Sequence, residues 1–518
     1  MANPGTKNYA ESSKYEWLII VIAIFVLRIM PWLLAEYWYD EVLTLGNFAF
    51  GQPGKNTLWE CVFRNYPIAN NHILSSAIYW IWLRVLGFNM AFEHFIRLPS
   101  LLFGAGLIAL CVCHWRNWLG GRVANLGGLL LAASPVFGAY AYQIRGYSMS
   151  MFLGGLAISG LLEFNSGKYA LGQLLMCISC LLLPLVIPSN VLFSLVIATV
   201  LLCTCRSWKR GLVSCSWPLL ASFVGASYYL TLWEQFVSAS REPNGWSSAW
   251  EVMGNLLLAF LLHGVVPLIA LGLRKMSQLK ADDDISELQC GSSQRPADGM
   301  NPVSPAIVFL SSLAIIALTL LFSRAGHAPY PRVFLIFFIA ASYALLQACA
   351  NNRIGNKSFA LLFIAIIFCG LVTERVSYEL TQRQLRVGVS PNNLLQQYYR
   401  GNSDLRNAVE HMEKNRLLGK AIIITDEYDY PTTRMYVAMN GGQPMFVFTR
   451  NERTFDELML VRHNSNDRAF YIIAKTRDIA DSLLEYAGFD SRKAMLTKIQ
   501  ECGVRTIYHI AYETNEVK

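Results

Sequence analysis

The chain has 518 residues, 54% hydrophobic and only 15% charged, with 43 Lys and Arg against 35 Asp and Glu. Soluble domains carry about 25% charged residues, so this one has too little polar surface for a single-core soluble globule. The formal net charge of +8 does not read as a nucleic-acid groove, because no basic run is interleaved with aromatics. It fits lysine and arginine collected in loops on one side of a membrane.

The N-terminal stretch "MANPGTKNYAESSKYE" is polar, and no small-residue cleavage site follows the first apolar run, so that run reads as a retained helix. Apolar segments long enough to span a bilayer recur at 17–35, 98–114, 123–141, 148–163, 169–187, 190–205, 212–232, 253–273, 303–323, 332–350 and 357–377. The segment 72–87, "HILSSAIYWIWLRVLG", reads as an interfacial helix, with Trp80, Trp82 and Arg84 suited to the headgroup region. On that reading "WRNWLGGR", "NSGK", "RSWKRG", "LRKMSQLK" and "NNRIGNK" share one side with Lys7 and Lys14, which makes that side cytoplasmic. The expectation is a mainly α, polytopic helix bundle of about eleven spans plus an interfacial helix. The location expected with it is the bacterial inner (plasma) membrane, multi-pass, with a cytoplasmic N-terminus.

The inner loop 274–302 is polar and reads as flexible. Beyond residue 378 the composition changes. "AIIIT", "MYVAM", "MFVF" and "AFYIIA" read as strands, "DIADSLLEYAGF" and "SRKAMLTKIQECG" as helices, and "NGG" as a turn. The expected division is a membrane domain at 1–377 and a small extracytoplasmic α/β domain at 378–518. No Walker or Rossmann motif is present. Most of the 12 cysteines lie in apolar runs and read as packing, "CISC" at Cys177–Cys180 included. Cys61 and Cys502 fall outside the membrane, where a pairing stays open.

Charge at a membrane boundary is costly, so four outer clusters are functional candidates. "EYWYDEV" delivers Glu36, Asp40 and Glu41 where the first span ends. Asp40 there serves either as a general base or cation ligand, or as a helix cap. "NYPIANNHILSS" places His72 behind Asn71, a good cap, and His72 suits phosphate, a metal or an acceptor. "AYAYQIRGYSMS" sets Arg145 among Tyr140, Tyr142 and Tyr147, either as a phosphate fork or as a snorkelling anchor in an aromatic belt. "SRAGHAPYPRVFL" crowds Arg324, His327 and Arg332 into one short loop, a candidate anion site. Together they offer carboxylates beside cations, as a hydroxyl nucleophile and a phosphate leaving group require.

These residues resemble the C-type (GT-C) membrane glycosyltransferase superfamily, in the branch of protein O-mannosyltransferases, aminoarabinose transferases and lipopolysaccharide-core sugar transferases. The similarity rests on the "DE" pair Asp40–Glu41, "NNHILSSAIYWIWLRVLG", "IRLPSLLFGAGLIAL" and "SPVFGAYAYQIRGYSMSMFL", with "RGYS" behind "SP" the most specific piece. The family's His-Pro-Pro is His72-Ile73-Leu74 here, and Gln143-Ile144 stands where relatives often carry an acid. The resemblance implies transfer of a sugar from a polyprenyl-phosphate donor to a glycan, lipid or protein hydroxyl, with inversion, at the extracytoplasmic face. It implies Asp40 as base, and Glu41 as supporting acid or, with His72, a candidate ligand of a divalent cation. His72, Arg145, Tyr147, Arg324, His327 and Arg332 would bind donor or acceptor. A transporter or flippase for lipid-linked saccharides is the alternative. It calls for charges at mid-helix and paired broken helices, whereas these clusters sit in loops. A scaffold that binds a partner through its C-terminal domain is a third reading, under which Asp40 would be replaceable.

Overall fold

Inside a bilayer every backbone N–H and C=O has to be satisfied within the protein, so long apolar runs are driven into helices. The computed structural model describes residues 4–50, 56–63, 72–85, 93–234, 237, 248–261, 296–323, 329–350, 354, 356–386, 404–427, 429–440, 447–449, 469–489 and 493–512. A helix meets each apolar segment expected to span. Six are long and apolar enough to cross a membrane: Lys14–Leu33, Leu98–Leu119, Tyr147–Asn165, Tyr169–Val186, Pro331–Ala350 and Asn356–Gln384. A seventh is the pair Gly121–Ala133 and Pro135–Ala141, bent by 64°. Shorter or less apolar helices cover Pro188–Thr204, Ala249–Phe260, Pro305–Leu321 and Trp208–Ser227. Ile19, Leu27, Leu361, Ile364 and Phe368 are exposed along the first and last spans, as a surface facing lipid would be. The chain is a multi-pass membrane protein.

The bend has a local cause. Pro135 opens the second half and Ser134 caps it, accepting from the Phe137 N–H at 3.0 Å. The carbonyls of the last turn before the break lose their N–H donors, and Arg28 donates to the Ala132 carbonyl at 3.1 Å. Arg28 Nε also donates to Glu374 at 2.9 Å, and Trp32 Nε1 to the same carboxylate at 3.0 Å. An in-membrane charge pair thus ties the first and last spans to the bend, which fits a structural lock better than a path for substrate.

The segment expected to lie in the interface is helical over Ile73–Arg84, 12 residues. At about 1.5 Å per residue it is far too short to cross a hydrocarbon core of roughly 30 Å. Its Trp80 and Trp82 ring N–H groups donate to the Asn56 and Phe95 carbonyls at 2.7 and 3.0 Å. The last membrane helix runs unbroken over Asn356–Arg386, past the expected domain limit, and the next described residue is Asp404.

The C-terminal domain is a five-stranded sheet in the order β2-β1-β3-β5-β4, with β1 Ala421–Thr425, β2 Val447–Thr449, β3 Ala469–Ala474, β4 Ala494–Cys502 and β5 Arg505–Tyr512. The first three strands are parallel, and β5 runs antiparallel to β3 and β4. Two sequence expectations fail here. "MYVAM" is not a strand but the end of helix Tyr430–Met439, entered through Pro431 and burying Thr432, Thr433 and Tyr436 on one face. "AMLTKIQEC" is not helical but the edge strand β4, despite its helix-favouring Ala, Leu, Lys and Glu. Gly503 (φ 61°) turns it into a hairpin, and Ala494 and Leu496 face inward while Met495 is exposed. Of the "NGG" turn, Gly441 and Gly442 lie outside the described residues, as does most of loop 274–302. Cys61 and Cys502 are both free thiols, as are Cys177 and Cys180.

The domain sits where the first span ends. Tyr37, Val42, Leu45 and Ile96 share one apolar cluster with Leu405, Val409, Met412 and Tyr436.

Candidate active site at the end of the first span

After Leu33 the chain leaves its helix and re-enters a short one, Tyr39–Val42, which widens into a π-helix over Leu43–Phe50. Glu36, Asp40 and Glu41 are all buried there. A buried carboxylate has to be met by a cation or by donors, and each of the three has a different answer.

Glu41 belongs to Arg97. The guanidinium donates to both carboxylate oxygens, at 3.2 and 2.8 Å, and both side chains are fully buried. Glu41 also accepts the Trp38 and Ile144 N–H groups at 3.3 and 2.9 Å. The capping role considered for Asp40 therefore falls to Glu41, at the third position of the short helix. Arg97 spends its remaining donors on the Leu33, Ala35 and Glu36 carbonyls at 2.8, 2.6 and 3.0 Å, closing the end of the first span.

Glu36 faces the C-terminal domain. It accepts the Leu405 and Arg406 N–H groups at 3.1 and 2.9 Å, the first turn of helix Leu405–Lys414. Glu93 reinforces that joint by pairing with Arg406 at 2.6 Å and accepting the Tyr436 hydroxyl at 2.6 Å.

Asp40 faces Arg332, at 2.9 Å. The Arg332 side chain is 11% exposed and lies among the Tyr330, Trp38 and Tyr147 rings, 4.7, 5.8 and 6.0 Å from their centroids. Tyr330 (φ −57°, ψ 137°) caps a 3-10 turn that Pro331 opens, Pro331–Phe334, and that turn leads straight into the helix Leu335–Ala350.

Arg145 and His72 complete the cluster. Arg145 is fully buried and donates to Thr44 Oγ1 at 3.0 Å and the Asp40 carbonyl at 3.4 Å. Its Nη2 lies 3.3 Å from His72 Nε2, while the Gly146 N–H donates to His72 Nδ1 at 2.8 Å. A Cβ on Gly146 would stand 2.4 Å from Val186 Cγ1 and 3.0 Å from His72 Nδ1, so the Arg-Gly step is what lets the imidazole dock. His72 itself, not Asn71, occupies the cap position, and Asn71 lies outside the described residues. Burial, then Arg145 and Arg332, push the His72 pKa well below the ordinary imidazole range. Tyr147 meets the His72 and Tyr140 rings edge to face, each at 5.0 Å.

The structure thus brings Asp40, Glu41, His72, Arg145, Tyr147 and Arg332 into one cluster. Arg324 and His327 lie outside the described residues. Among the described residues no group of three His, Cys, Asp or Glu side chains could hold a metal ion. The candidate ligands do not fit a divalent cation, since Asp40, Glu41 and His72 each face an arginine. Arg97, Thr44, Glu93 and Arg406 join the site without being marked by any charge cluster in the sequence; Arg97, the second residue of "IRLPS", lies in a stretch that carries the family resemblance.

No protein-family model matches the sequence, and no curated protein matches it. Solved structures do. ArnT from Cupriavidus metallidurans in the apo state aligns over 96% of this chain and 98% of its own, with a TM-score of 0.54 at 13% identity. The same protein bound to undecaprenyl phosphate aligns over 96% and 97%, with a TM-score of 0.53 at 13% identity. This chain has the same fold as ArnT. The likeness extends over nearly the whole chain, the C-terminal sheet domain included.

Proposed function

We propose that this protein transfers a sugar from a polyprenyl-phosphate donor to a hydroxyl of a glycan, lipid or protein acceptor, with inversion, and that Asp40 is the base. The observation that carries the reading is the Asp40–Arg332 pair at 2.9 Å. Among the described residues of this cluster Arg97 pairs with Glu41 and Arg332 with Asp40, and the Arg145 guanidinium lies beside them, donating to Thr44 Oγ1 and the Asp40 carbonyl. Guanidinium groups gathered where the first span ends suit a phosphate, and one ArnT structure of the same fold is bound to undecaprenyl phosphate.

Arg332 is the natural phosphate ligand, because it is the arginine here that keeps some exposure. A donor phosphate that takes the Arg332 guanidinium releases Asp40 from its partner at the moment a base is needed. Asp40 then accepts the acceptor's O–H proton, and the acceptor oxygen bonds to the anomeric carbon. The bond from that carbon to the phosphate oxygen breaks, and its electron pair leaves with the lipid phosphate, whose charge Arg332 meets. Attack opposite the leaving group gives inversion. Arg145, enclosed by Thr44 and His72, positions the Asp40 backbone. The membrane is assigned as bacterial inner membrane, with the N-terminus cytoplasmic and this site and the C-terminal domain extracytoplasmic.

The test is a transfer assay on purified protein in lipid, with polyprenyl-phosphate sugars, a cell-envelope extract, and Asp40→Asn beside wild type. Loss of a general base costs about 100- to 10,000-fold, so the variant should fall to background while remaining inserted and monodisperse. Wild-type turnover in Asp40→Asn would remove Asp40 as base. No transfer by wild type with any donor would remove the glycosyltransferase reading itself.

A further inference from the structure

The opposite membrane face carries a second cluster of cations that the transfer chemistry does not use. A cavity of about 470 Å³ is lined by Trp17, Arg116, Gly121, Arg122, Asn125, Asn356 and Phe359. It lies between the first span, the helix Gly121–Ala133 and the last span Asn356–Gln384, near the first residues of all three spans. From Trp17 to Leu33 is about 24 Å along a helix, so this cavity and the Asp40 cluster lie at opposite membrane boundaries.

Its lining combines three features that an acidic lipid headgroup needs. The first is charge. Arg116 and Arg122 both line it, none of the described lining residues is acidic, and Lys14 is close enough to act on Cys113 together with Arg116. The second is a prepared cradle. Gly120 (φ 74°) turns the chain, and a Cβ on Gly121 would stand 2.8 Å from Arg116 Nη2, so the guanidinium lies over the first turn of the following helix. Arg116 is steadied by Asn125 Oδ1 at 3.4 Å, and Arg122 by the Ile354 carbonyl and Asn356 Oδ1. The helices Gly121–Ala133 and Asn356–Arg386 both begin here, adding the positive ends of their dipoles. The third is an apolar wall, since Trp17 and Phe359 meet edge to face at 5.4 Å where acyl chains would enter. Topology alone asks for lysines and arginines in these loops. It does not ask for two of them to share a cavity between spans.

We infer that this cavity binds the phosphodiester headgroup of an acidic phospholipid, a structural lipid distinct from the polyprenyl donor. Purified full-length protein would be examined by native mass spectrometry and thermal unfolding in detergent. The additions would be phosphatidylglycerol, phosphatidylcholine or millimolar inorganic phosphate. Wild type should retain phosphatidylglycerol over phosphatidylcholine and unfold at a higher temperature with it. The R116Q/R122Q double variant should bind it roughly tenfold more weakly or worse. Because Arg122 also ties two helices together, G121L serves as the second variant, keeping both charges while filling the cradle, and it should lose the same lipid. Equal retention of both lipids by wild type, or undiminished phosphatidylglycerol binding in G121L, would overturn the proposal. A shift by inorganic phosphate as large as that by phosphatidylglycerol would assign a free-anion site and overturn the lipid.

Discussion

At the residue scale the site is organised by competition for arginine. Asp40 and a donor phosphate would both want Arg332, so removing the carboxylate's charge should separate binding from turnover. Asp40→Asn is expected to bind a polyprenyl phosphate at least as tightly as wild type while losing transfer. Weaker donor binding in that variant would argue that Asp40 shapes the site instead of competing within it. His72 makes a prediction in pH. Its acidity is shifted down by burial and by Arg145 and Arg332. The unfolded chain therefore takes up a proton near pH 6.5 that the folded one refuses. The stability tied to a neutral His72 is complete above that pH and is lost as pH falls below it. His72→Gln, which keeps an acceptor for the Gly146 N–H, should flatten part of the fall in unfolding temperature between pH 6.5 and 5. An unchanged slope would place the acid sensitivity elsewhere.

At the element scale the first span and the helix Leu405–Lys414 meet through one carboxylate. Glu36 accepts two N–H groups of that helix, the work usually done by a residue just before a helix. Here Asp404 holds the cap position in a left-handed conformation (φ 59°) and accepts the Val504 N–H instead, at 2.8 Å. Caps are worth about 1 kcal/mol, so Glu36→Ala should speed amide exchange in 405–414 severalfold and expose that helix to protease. Protection equal to wild type would mean the apolar cluster alone holds it. Pairings of this kind explain what could be read in advance. Spans were legible because lipid imposes length and hydrophobicity on each segment separately, and the interfacial helix because the Lys- and Arg-rich loops share one side only if 72–87 does not cross. The Asp40, His72, Arg145 and Arg332 loops were legible as charge placed where charge is costly. "MYVAM" and "AMLTKIQEC" were not, since short apolar runs and helix-formers take their state from sheet neighbours. The division of labour among Glu36, Asp40 and Glu41 depends on Arg97, Arg332 and Arg406, which no local pattern announces.

At the scale of the whole molecule the membrane bundle and the sheet domain share the wall of the site. The Tyr37 N–H donates to the Tyr436 hydroxyl at 2.7 Å, that hydroxyl donates to Glu93, and Glu93 pairs with Arg406. Tyr37 lies in the same segment as Asp40, so the sheet domain is bonded to the segment that carries the proposed base. Movement of one should be felt by the other. Arg406 is about one third exposed, so solvent screening reduces what its loss costs, to about 1 to 2 kcal/mol. Arg406→Ala should therefore loosen the domain without unfolding the bundle and lower the transfer rate, leaving lipid retention at the far cavity unchanged. Glu93→Gln should do the same more mildly, since its carbonyl still accepts from Tyr436. If the clamp acts as one unit, the double variant should transfer no more slowly than Arg406→Ala alone. Effects that simply add would mean that Glu93 and Arg406 act on the site separately.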